Sequence, residues 1–184
     1  MVWLIGIAAA VLLVFVLLYN RLIRAKIKVR QAWAQVSVQQ QRRHDLIPGI
    51  VAAARGSASH ERALLDAVTD ARRRALSATG HLDRDAAEQE LTGLLDQLLV
   101  VTEAQPQLQA DGSFRKVQQE LRDTEDRLAF ARAFANDRVA RYRTLTDTVP
   151  TLVIARLFRF PRTQMFARES ELAARAPDVQ LGGR

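Results

Sequence analysis

The chain has 184 residues, a formal net charge of +7 and no cysteine. That length holds one ordinary domain plus a further segment, since compact domains run to about 100 to 150 residues, and the missing thiols exclude disulfides, iron–sulfur clusters and thiolate zinc sites. Eight glycines and five prolines interrupt a chain rich in Ala, Leu, Arg, Gln and Glu, so an all-α fold is predicted.

Val2 to Leu18 is 17 residues without a charge, amide or hydroxyl, about 26 Å long as a helix. Trp3 and Tyr19 flank it where amphipathic rings favour membrane interfaces. A cleaved signal peptide needs a positive n-region and small residues at a cut site; here only the α-amine precedes and Tyr19-Asn20-Arg21-Leu22 follows. Residues 1–19 are therefore read as one transmembrane anchor. Arg21, Arg24, Lys26, Lys28 and Arg30 follow it, and no acid appears before Asp45. The chain is read as a bacterial inner-membrane protein, and this asymmetry predicts its N-terminus outside and its body cytoplasmic. The same cations attract anionic headgroups. With Arg42 and Arg43 they carry the whole charge excess, because the other 20 basic residues equal the 20 acidic ones. Nucleic-acid binding is accordingly not expected, and the lipid bilayer is the expected partner.

Beyond the anchor, Leu22, Val29, Trp33, Val36, Ile47 and Ile50 mark one face of a helix over residues 20–55, with Gly56 as its stop. Pro48 removes a hydrogen bond to the His44 carbonyl and predicts a kink near 44–49 rather than a break. A second helix, capped by Ser57 or Ser59, carries Leu64, Val68, Ala71 and Ala75 and ends near Gly80. A third, capped by Asp83 or Asp85, carries Ala87, Leu91, Leu94, Leu98 and Val101 up to Gln105-Pro106. Asp111-Gly112-Ser113 opens a long fourth helix striped by Phe114, Val117, Leu121, Thr124, Leu128, Ala131, Ala135 and Tyr142, ended by Pro150. The sum is an antiparallel, up-down-up-down four-helix bundle over residues 20–150, with two long and two shorter helices. Residues 151–184 form an amphipathic basic segment and tail. Within it Val153, Ile154, Leu157, Phe158 and Phe160 oppose Arg156, Arg159 and Arg162, so it either lies on the membrane or packs on the bundle.

Several runs resemble the LemA family of bacterial membrane proteins. They are Tyr19-Asn20-Arg21-Leu22, Ala32-Trp33-Ala34-Gln35-Val36-Ser37-Val38-Gln39, Arg42-Arg43-His44-Asp45-Leu46-Ile47-Pro48 and His60-Glu61. Pro106-Gln107-Leu108-Gln109-Ala110, Phe114 and Glu120-Leu121-Arg122-Asp123-Thr124-Glu125-Asp126-Arg127 extend the likeness, which covers roughly residues 19 to 150 in order. The chain departs from the family at His44 (usually Tyr), Gly49 (Asn), and Ala135 and Arg143, where tandem Tyr-Asn pairs are favoured. The resemblance implies a membrane-anchored helical bundle whose relatives are associated with envelope-stress proteolysis or specialised membrane compartments.

No catalytic constellation is found. His60-Glu61 starts a zincin motif, but Leu64 stands where the second ligand belongs. His44-Asp45 lacks a further ligand at helical spacing; no nucleophile elbow or phosphate loop occurs. No enzyme activity, metal or cofactor is expected. Arg42, Arg43 and Asp45 are candidates for local salt bridges or, as the resemblance implies, for a docking surface. The two shorter helices cover only part of the long pair, which predicts a membrane-proximal stalk with Trp33, Phe134 and Tyr142 incompletely covered. Those six residues form the candidate surface for self-association or for a membrane or cytoplasmic protein. Arg156, Leu157, Phe158, Arg159 and Phe160 form the candidate interfacial tail. The expected function is a non-enzymatic membrane-anchored scaffold or adaptor; the alternative is an accessory or regulator of membrane proteolysis.

Overall fold

The computed structural model describes residues 1–55, 62–79, 81–161 and 163. Six helices follow in order: α1 (Val2–Arg55), α2 (Arg62–Ser77), α3 (His81–Glu103), α4 (Pro106–Ala110), α5 (Gly112–Asp147) and α6 (Thr151–Leu157). The described residues contain no strand. The fold is all-α, as its composition predicts.

Helix α1 runs through Pro48 without interruption. Along it Leu22, Val29, Ala32, Val36, Gln40, Arg43, Ile47, Ile50 and Ala54 are buried, at steps of three, four or seven that keep one stripe facing inward. The N-terminal part differs. An 18-residue apolar window of α1 is 0% buried, although burying a large aliphatic side chain is worth about 1.5 to 3 kcal/mol. This is the one helix among the described residues long and apolar enough to cross a membrane.

The chain divides into two compact units, Met1–Val36 with Ala131–Arg184, and Ser37–Phe130. The second unit holds the larger core, to which α1 gives Ile47, Ile50 and Ala54, α2 gives Leu65, Val68, Ala71 and Ala75, and α3 gives Leu91, Leu95 and Leu98. Leu108 of α4 and Phe114 and Leu121 of α5 complete it. On α3 the inward stripe is Glu88, Leu91, Leu95, Leu98 and Thr102. This stripe passes through Leu95 where Leu94 was predicted, because it keeps heptad spacing from a charged starting point. On α2 the buried leucine is Leu65, with Leu64 half-buried.

Helix starts also differ in detail. Asp83 and Asp85 lie inside α3 rather than capping it, because the helix already begins at His81. Asp111 does cap α5: its Oδ1 accepts from the Ser113 and Phe114 N–H groups at 2.8 and 3.3 Å. The break at Gln105-Pro106 holds the short α4, with Pro106 at its first turn. The predicted stops and caps at Gly56, Ser57, Ser59 and Gly80 lie outside the described residues.

In the first unit the chain after Pro150 folds onto α1. Ile154 and Ala155 of α6 are buried against Leu22, with Phe15, Leu18, Tyr19, Leu145 and Phe160 packed around them. The α6 terminus is a Schellman motif: the Phe160 N–H donates to the Ala155 carbonyl at 2.9 Å and the Arg159 N–H to the Arg156 carbonyl at 3.2 Å. Arg159 takes the left-handed conformation there, with φ 50°, where glycine is the usual occupant.

Candidate functional site

The densest polar chemistry lies in the second unit. Arg43 of α1 is fully buried, an arrangement that requires every charge to be matched. Its guanidinium donates to Glu88 on α3, to Thr92 Oγ1 at 2.7 Å and to Glu125 Oε1 on α5 at 3.0 Å. Glu88 is itself 1% exposed and sits on the apolar stripe of α3. Arg43 thus joins three helices, and removing one partner of such a buried pair costs about 3 to 5 kcal/mol.

His44 extends the cluster. Its Nε2 lies 2.9 Å from Glu88 Oε1. Burial, reinforced by the charges of Arg43 and Arg72, lowers the imidazole pKa to about 4. The ring is therefore neutral near pH 7, and the Glu88 contact places its proton on Nε2 as donor. Glu88 does not reverse this, because its charge is already paired with Arg43. The backbone of His44 is engaged too. Pro48 has no N–H, so the His44 carbonyl four residues earlier loses its helical donor. Arg72 Nε of α2 replaces it at 2.7 Å. Through one carbonyl and two carboxylates, this cluster links α1, α2, α3 and α5.

The structure divides the six residues predicted as a partner surface. Arg42 and Asp45 are exposed, and Asp45 Oδ1 accepts from Gln41 Nε2 at 2.8 Å. Trp33 and Phe134 are half-buried, the Phe134 ring lying 4.5 Å beneath the Arg138 guanidinium. Arg43 and Tyr142 are not surface residues: both are within 1% of full burial. Arg43 is withdrawn by its ion pairs. Tyr142 is covered by the tail, its hydroxyl donating to the Pro161 carbonyl at 3.0 Å and its ring clustered with Val29, Val139, Trp33 and Phe160. The expected exposed stalk is to that extent clothed by its own chain.

The tail packs on α1, with part of its apolar face left outward. Phe158 meets the rings of Phe15 and Tyr19 at 5.9 and 5.0 Å, and Phe160 meets Tyr19 at 6.0 Å. Val153, Leu157 and Phe158 nevertheless stay exposed, as do Arg156 and Arg159.

The membrane-proximal cations also separate. Lys26 reaches over the Phe160 ring at 6.0 Å, while Arg30 is exposed. Arg21, Arg24 and Lys28 line a groove of about 550 Å³ together with Arg138 and Arg141 of α5, floored by Ala25, Tyr142 and Leu145. Sequence reasoning missed Arg138 and Arg141, since they lie over a hundred residues away among compensating acids. Their three-residue spacing on the helix that returns to α1 was the available signal.

Among the described residues no group of three or more His, Asp and Glu is placed to hold a metal ion. His44 is 3% exposed, and its Nδ1 is buried without a hydrogen-bond partner. The family model of the LemA family matches residues 32–181, most of the chain, and extends past residue 150, where the resemblance read from the sequence ended. None of the curated proteins compared with the chain matches it.

Proposed function

The chain belongs to the LemA family, and from that premise we propose that it is a membrane-anchored, non-enzymatic helical scaffold or adaptor. It is held in the bacterial inner membrane by residues 1–19, with its body cytoplasmic and its four longer helices arranged up-down-up-down. The observation that carries this reading is the Arg43 cluster. Its guanidinium Nη atoms, both carboxylates and the His44 Nε2 are engaged with one another, which supports a role in fixing helices. The 18-residue apolar window, 0% buried, and the five cations between Asn20 and Arg30 support the tether and its orientation.

Trp33 and Phe134, half-buried in the first unit, remain a proposed surface for a second copy or another protein, as, separately, do the exposed Arg42 and Asp45 of the second unit. Photocrosslinkers placed at positions 33 and 134 in native membranes are expected to trap intermolecular adducts. Adducts with a second copy support self-assembly, and recovery of a membrane metalloprotease supports the regulatory alternative. Exclusively intramolecular products at both positions would refute a partner surface there.

A further inference from the structure

We propose that the cationic groove of the first unit is a binding site for the headgroup of an anionic phospholipid. This rests on the membrane-tethered reading above and adds a specific site to it. Arg21, Arg24 and Lys28 stand at i, i+3 and i+7 on α1, one stripe of that helix, and Arg138 and Arg141 are three apart on α5. No acidic side chain lines the groove. Arg141 is ion-paired with Asp137 at 3.0 Å on the exposed flank of α5. Arg24 Nε donates to the Asn20 carbonyl at 3.3 Å, and Arg138 stacks on Phe134. Apart from Arg141, none of the five lining cations has a carboxylate partner among the described residues. Like charges so gathered repel one another, and a bound anion relieves the repulsion.

Depth selects the source of that anion. At 1.5 Å per residue, Arg21 to Lys28 lie about 5 to 15 Å along the helix beyond Leu18. A bilayer about 40 to 45 Å thick with a hydrocarbon core of about 30 Å leaves some 5 to 7 Å of headgroup on each side. Arg21 therefore sits at the level of lipid phosphates, and Arg24, about 9 Å beyond Leu18, lies just past that layer with a side chain long enough to bend back to it. A lipid fills the groove while its acyl chains stay beside the exposed Leu13, Val14 and Leu17. Ala25, Tyr142 and Leu145 offer apolar floor to its glycerol end, and four guanidinium forks suit phosphate oxygens. A zwitterionic lipid would bring its own ammonium among five cations. The site is accordingly selective for lipids of net negative charge, such as phosphatidylglycerol.

The test uses the full chain reconstituted in phosphatidylcholine vesicles and spin-labelled phosphatidylglycerol or phosphatidylcholine as probes. The motionally restricted fraction is expected to favour the anionic probe. That preference should fall at least about threefold in the Arg138→Gln/Arg141→Gln variant, which keeps all the cations of α1, given roughly 1 kcal/mol per basic residue near an anionic surface. Arg73→Gln, an exposed charge on α2, should leave it unchanged. Unaltered preference in the double variant would overturn the site, assigning lipid attraction to the α1 flank alone. Displacement of the labelled lipid by millimolar inorganic phosphate would overturn it in favour of a free-anion site. Flotation of the chain with phosphatidylcholine vesicles separates the two readings: a chain that fails to float refutes the tether itself. Unchanged helical circular dichroism in every variant shows that the fold is intact.

Discussion

Replacing His44 by glutamine tests the polar cluster through its pH dependence. Glutamine keeps an N–H donor within reach of Glu88 and removes the titrating ring. In the folded protein the imidazole titrates at about 4, against about 6.5 in an unfolded chain. Between those values the unfolded chain holds the extra proton, so the stability contributed by neutral His44 is fully present above about pH 6.5. It is lost as pH falls toward 4. For one site with these two values, moving from about pH 7.5 to about pH 5 removes about 2 kcal/mol. His44 is 3% exposed, so solvent screening takes little from that figure. Urea unfolding of the full chain in detergent micelles, followed by far-ultraviolet circular dichroism at both pH values, measures it. The carboxylates that titrate in the same range are common to both proteins and cancel in the comparison. Wild type is expected to lose about 2 kcal/mol more than His44→Gln over this step. Equal losses would refute the argument that a neutral imidazole is held inside the cluster.

Arg43→Met leaves Glu88 buried without its counter-charge and is expected to cost about 3 to 5 kcal/mol in the same urea assay; Arg43→Met with Glu88→Leu should recover most of it. Pro48→Ala restores a helical donor to the His44 carbonyl, so Arg72→Met is expected to cost about 1 to 2 kcal/mol in wild type and distinctly less beside Pro48→Ala, a coupling read from a double-mutant cycle. Ile154→Ala weakens the seating of α6 by about 2 to 4 kcal/mol, and fluorescence quenching by acrylamide is expected to report greater access to Trp33 as Phe160 loosens from its cluster. Arg159→Gly relieves the left-handed residue of the α6 terminus and is expected to raise the stability of the first unit by about 1 kcal/mol, measured as slower amide exchange over residues 151–160.

The helices were legible because their apolar residues recur at three and four. The anchor was legible because nothing polar interrupts residues 2–18. The stripe of α5 was read in large part, with Val117 half-buried and Gln118, Asn136, Val139 and Thr146 missed as buried members. Misreadings cluster where a charged residue takes a core position. Glu88 occupies the first step of the α3 stripe, and a search for apolar periodicity passes over it, moving the assigned face by one residue. Arg43 was read as surface for the same reason: its burial depends on Glu88 and Glu125, 45 and 82 residues away in sequence. Tyr142 was read as uncovered because helix lengths alone do not disclose that Phe160 and Pro161 return to it. The freed carbonyl at His44, by contrast, followed from Pro48 alone; only the identity of its new donor needed the fold.

That substitute donor makes two distant positions a single piece of information. With proline at 48, an arginine at 72 has a carbonyl waiting for it, and α2 has one rotation about its own axis at which Nε reaches that oxygen. With any other residue at 48 the oxygen is claimed within α1, and the arginine becomes one more surface charge. The two residues should therefore be gained and lost together among related chains. A residue that usually disrupts a helix serves here to address its neighbour.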